Sequence, residues 1–72
     1  MALTYDDVLE FVRQNGEVTA YTASGGRKTP VRDDEPNAAW MVELCADIFE
    51  FGGKRFTRVQ FHRLVRGITR ST

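Results

Sequence analysis

One cysteine, one histidine and one tryptophan among 72 residues leave a thin inventory for chemistry. A lone Cys45 excludes an internal disulfide framework and every metal site built from several cysteines. It also falls on an apolar arc, where a thiol serves as a small hydrophobe. The lone His62 has arginines for neighbours, which provide no carboxylate to orient it. A Cys–His catalytic pair is therefore not expected. Long apolar runs are missing as well. The longest, Ala38 to Val42, falls far short of the roughly twenty residues that cross a bilayer. Asp6, Asp7 and Glu10 interrupt the N-terminal segment where an export signal would be apolar, so a cytoplasmic location is expected. The doublets Gly25-Gly26 and Gly52-Gly53 lack the spacing and the lysine of a phosphate-binding loop and read as turns. The expectation is a non-enzyme, with no catalytic residue, no metal ligand and no cofactor.

Net charge is also lacking. Ten Lys and Arg balance ten Asp and Glu, the mean hydropathy is −0.37 and the isoelectric point is about 6.6. A hydrophobic fraction of 42% with 28% charged residues is that of a globular chain, and the length allows one domain over 1–72.

What is present is a series of local structure signals. Thr4 stands three residues before Asp7 in the spacing of a capping box, and Leu3 and Val8 have the staple spacing around it. Tyr5, Val8, Leu9 and Val12 then recur with the period of one helix face, and Asn15-Gly16 is a stop. A helix over about 5–14 is predicted. Residues 17–23 alternate and are rich in β-branched and aromatic side chains, as a half-buried strand should be. Ser24-Gly25-Gly26 is a turn, and residues 27–32 return as a strand that Pro30 confines to an edge.

From Pro36 the chain reads as a long central helix ended by Gly52-Gly53. Trp40, Met41, Leu44, Cys45, Ile48, Phe49 and Phe51 would cover more than half its circumference, leaving Glu43, Asp47 and Glu50 on the remainder. Thr57-Arg58-Val59-Gln60 is a second capping box, with Phe56 and Phe61 as its staple. It predicts a short helix over about 58–69 with Phe61, Leu64, Val65 and Ile68 facing inward. The expected fold class is α+β and mainly helical: helix, small β-hairpin, long central helix, short basic C-terminal helix.

The neutral total conceals blocks of −3 over residues 1–17, +3 over 18–32, −6 over 33–50 and +6 over 54–72. Two antiparallel helices would lay the last two blocks side by side as surface ion pairs, each worth about 0–1 kcal/mol. The competing account is a binding surface. An acidic and a basic face on one small body give oriented, salt-sensitive docking on a charged protein. The residues that would carry it are Arg58, His62, Arg63, Arg66 and Arg70 on the last helix, Arg27 and Lys28 on the hairpin, and Glu43 and Asp47 on the acidic stripe. Trp40, Phe49, Phe51 and Tyr21 are candidate anchors, though a domain this small needs its large side chains in the core.

The alternative is DNA binding by a helix-turn-helix or winged-helix-like arrangement using the 57–70 helix, with Arg27, Lys28 and Arg32 as a wing on the phosphates. Against it, Phe49 occupies the place where the preceding helix needs a small residue, and the isoelectric point is not that of a free-standing DNA binder.

The Asp33-Asp34-Glu35 run, the Glu43, Asp47 and Glu50 stripe and the arginine-rich 54–70 segment give the chain a size and charge layout that resembles the small regulators bacteriophages make to bind host RNA polymerase. The resemblance implies non-catalytic regulation of transcription in the host cytoplasm, by occupying a polymerase surface needed by promoter DNA or a specificity factor. It implies a protein partner, no membrane, and a monomer or weak dimer.

Overall fold

The computed structural model describes residues 3–70, with side chains described up to Gly67. In chain order the elements are α1 (Tyr5–Asn15), β1 (Val18–Tyr21), β2 (Lys28–Pro30), α2 (Pro36–Trp40) with a π-helical turn (Met41–Cys45), β3 (Ile48–Phe51), β4 (Lys54–Thr57) and α3 (Arg58–Arg70). The helix starts marked by Thr4 and Thr57 are both in place. Thr4 Oγ1 accepts the Asp7 N–H at 3.2 Å, and the staple residues Leu3 and Val8 are buried. The box at α3 is complete: Gln60 N–H donates to Thr57 Oγ1 at 3.2 Å and Thr57 N–H to Gln60 Oε1 at 3.0 Å.

The four strands form one antiparallel sheet in the order β2-β1-β3-β4. Pro30, which has no N–H to give a ladder, sits on β2 at one edge. Alternation divides the sheet into two faces. Val18, Ala20 and Phe49 are fully buried on one, against Phe11 of α1, Met41 and Val42 of the π turn, and Phe61 and Val65 of α3. At the centre Phe61 stacks on Phe49 at 4.8 Å and meets Phe11 edge-on at 5.2 Å, while Phe11 meets Phe51 edge-on at 4.9 Å. These contacts tie α1, β3 and α3 into one core. The opposite face carries Thr19, Tyr21, Ile48, Glu50 and Arg55, and no described helix covers it.

The expected long central helix is absent, and the fold is not mainly helical: three helices pack on a four-stranded sheet. The helical segment from Pro36 widens at its end, where the Ala46 N–H reaches back to the Met41 carbonyl, and the chain turns extended at Ala46. Ile48-Phe49-Glu50-Phe51 consists largely of β-branched and aromatic residues, which suit a strand. Gly52 and Gly53 have φ of 61° and 78°, the two consecutive positive values a type I′ hairpin turn demands. A helix running to Phe51 would have left part of its wide apolar arc uncovered. Folding 48–51 as β3 puts Phe49 in the core and Ile48 on the other face. The expected two-stranded hairpin thus becomes half of a larger sheet, with β1 in its interior.

Candidate partner-binding face

Because residues 48–57 form a hairpin, the basic block divides between an edge strand and a helix. Arg58, in the first turn of α3, points its guanidinium toward the carbonyl end of the π turn. It donates to the carbonyls of Ala46 at 2.8 Å, Glu43 at 3.1 Å and Leu3 at 3.4 Å. A cation is unfavourable at the start of its own helix but favourable at the end of another, where unpaired carbonyls collect. Arg58 is therefore a clamp holding α3, the π turn and the N-terminal segment together. It does not present its charge to a partner as the sequence pattern suggested.

The acidic stripe is not formed. Glu43 lies on the π turn, and its carboxylate accepts the Tyr5 N–H at 3.2 Å, at the N-terminus of α1. Asp47 is exposed in the connection to β3, and its backbone N–H donates to the Tyr21 carbonyl at 3.2 Å. Glu50 is on β3, paired with Arg55 of β4 at 3.7 Å. Among the described residues this is the ion pair that links the −6 and +6 blocks. Asp33 pairs instead with Arg13 at 3.0 Å, and that hydrogen-bonded contact raises the Arg13 pKa above its ordinary value. The Tyr5 hydroxyl, which donates to the Arg32 carbonyl, is raised above its ordinary 10.0, by burial first and then by Asp33, Asp34 and Asp6.

Lys54 and Arg63 keep no carboxylate partner among the described residues. They lie with Arg55 around a groove between β4 and α3 whose remaining lining is Phe56, Gln60 and Leu64. Its volume of about 690 Å³ is that of a small-ligand pocket, but it lies open to solvent. Phe56 and Leu64 are half-buried against the core, so they supply an apolar floor beside Lys54 and Arg63 with no acid in the lining. Arg55 lines the rim with its guanidinium turned to the opposite face, over Tyr21 and beside Glu50. A smaller depression adjoins it, lined by His62, Arg63, Arg66 and Gly67. The His62 Nε2 is buried without a hydrogen-bond partner among the described residues. Arg70, with Ile68, lies outside the described side chains.

Arg27 and Lys28 are at the β2 side of the sheet, far in strand order from β4. Each covers an aromatic ring: Arg27 Cζ is 5.3 Å from the Trp40 centroid and Lys28 Nζ is 5.9 Å from that of Tyr21. Arg55 covers Tyr21 as well, at 5.3 Å, which leaves Tyr21 3% exposed on the helix-free face. Of the proposed anchors, Phe49 and Tyr21 are buried and Phe51 is half-buried, while Trp40 is 45% exposed. Cys45 is half-buried against the core and carries no disulfide.

The structure thus brings Arg63 together with four groups the sequence reading passed over as a site: Lys54, Arg55, Phe56 and Leu64. A signal for them existed, since a two-glycine loop between alternating runs marks a hairpin. Among the described residues no cluster of His, Cys, Asp or Glu is placed to hold a metal ion, and no helix is long and apolar enough to cross a membrane. No protein family, no curated protein and no solved structure matches the chain at a significant level.

Proposed function

We propose that this chain is a non-catalytic binding domain that docks through the β4–α3 groove onto an acidic surface of a partner protein. The observation that carries the reading is the groove itself: Lys54 and Arg63 flank Phe56 and Leu64 with no acidic side chain in the lining. Cations around an apolar centre give an interface both its steering and its anchor. The layout resembling phage regulators makes bacterial RNA polymerase the first partner to test, with the chain acting in the cytoplasm as a regulator of transcription. The helix-turn-helix alternative is not carried forward, because the segment before α3 is strand and leaves α3 without the paired helix that motif needs.

The test is retention of purified bacterial RNA polymerase by immobilised chain, compared with a Lys54→Glu, Arg63→Glu double variant. Retention by the unaltered chain and its loss in the double variant are expected. Absence of retention, or equal retention by both, contradicts the reading.

A further inference from the structure

β4 is an edge strand, and its register with β3 fixes which backbone groups face outward. Phe51 and Lys54 flank a two-residue turn and form the closing hydrogen-bonded pair, so hydrogen bonding to β3 alternates from there: Lys54 and Phe56 bond inward, Arg55 and Thr57 point out. The Thr57 N–H is taken by Gln60 Oε1. That leaves the N–H and C=O of Arg55 as the open donor and acceptor of this edge. They stand at the rim of the groove. The other edge is blunted by Pro30.

We propose that the groove takes an extended acidic peptide segment as a fifth strand, antiparallel to β4. This rests on the reading of the groove as the docking site and names the form of the ligand. A strand residue directly opposite Arg55 exchanges both backbone bonds with it and places its side chain on the helix-free face beside the guanidinium. Its two neighbours fall on the helix side, one opposite Phe56 and one opposite Lys54. The position opposite Phe56 lies over the floor of Phe56 and Leu64 and selects an apolar residue. The positions beside Arg55 and Lys54 select acids, and Arg63 adds a third cation on the α3 wall. The exposed Glu50–Arg55 contact at 3.7 Å is weak enough for an incoming carboxylate to displace. Main-chain bonds supply affinity and alternate side chains supply specificity, as in other strand-addition complexes.

The experiment uses a capped synthetic peptide with a Glu-Glu-Leu-Glu-Glu core, which in the antiparallel direction sets Leu opposite Phe56 and the glutamate after it opposite Arg55, titrated into the full chain by fluorescence anisotropy. One further peptide carries an N-methyl group on the glutamate after Leu, deleting the donor that pairs with Arg55, and a control carries it on the glutamate before Leu. Binding of the parent, with the first methylated peptide weakened about tenfold and the Arg55 amide newly protected from hydrogen exchange, is the expected result. If both methylated peptides bind like the parent while Arg63→Glu abolishes binding, strand addition is overturned and the acidic-partner reading stands. If the parent does not bind, or Lys54→Glu and Arg63→Glu leave its binding unchanged, both are overturned.

Discussion

Arg58 shows how far a residue's role can depart from its sequence setting. Its three carbonyl partners lie 12, 15 and 55 residues away, so nothing local announces them. The i, i+4 spacing with His62 and Arg66 suggested an outward stripe, whereas the geometry closes the end of the π turn. Arg58→Met keeps the aliphatic stem and removes the donors. It should lower stability by about 2 kcal/mol in urea denaturation, the scale of charged hydrogen bonds. Arg58→Lys should recover only part of this, because one ammonium cannot reproduce a planar fork. A cation merely exposed on the surface would change stability by less than about 0.5 kcal/mol. Tyr5 gives a second residue-scale expectation. Its pKa is raised in the folded chain, so above about pH 10 the unfolded chain loses the tyrosine proton first and folding loses stability as pH rises. Urea midpoints between about pH 9 and 11 should fall in the unaltered chain and fall less in Tyr5→Phe. Equal slopes would show that Tyr5 does not contribute.

At the scale of elements, the sequence announced what is local and misled where partners are distant. The α1 start, the α3 capping box, the first strand and the edge position of Pro30 are set by neighbours within a few residues, and all are found as read. Residues 46–51 fit a helix in the sequence because apolar residues at 40, 41, 44, 45, 48, 49 and 51 keep a helical period, while the deciding facts are non-local. β3 pairs with β1 across 26 or more residues, and the π turn ends the helix early. The excessive breadth of the apolar arc was the warning. The hairpin turn carries its own test: at φ of 78° Gly53→Ala should cost about 1–2 kcal/mol. Gly52→Asn, which tolerates the same turn, should be close to neutral. Thermal melts of the two variants check both expectations.

Over the whole molecule, zero net charge is the result of separation more than of mutual cancellation. Asp33 is held by Arg13, the Glu43 carboxylate by the start of α1, and among the described acids from 33–50 the Glu50 carboxylate alone pairs with a base of the last block. The candidate site was legible only as a charge excess over 54–70. Its shape was not, because the groove exists only once β4 lies against α3. Docking that depends on Lys54, Arg55 and Arg63 should weaken with salt, with most of the loss on the association side. Stopped-flow association at about 50 and 300 mM salt checks this, and an unchanged rate would exclude steering. The most direct measurement of the central claim is differential NMR line broadening of the isotope-labelled chain on addition of RNA polymerase. Broadening centred on Lys54–Leu64 is predicted. No broadening, or broadening centred on the acidic start of α1 or on Trp40 and Leu44, would contradict the account.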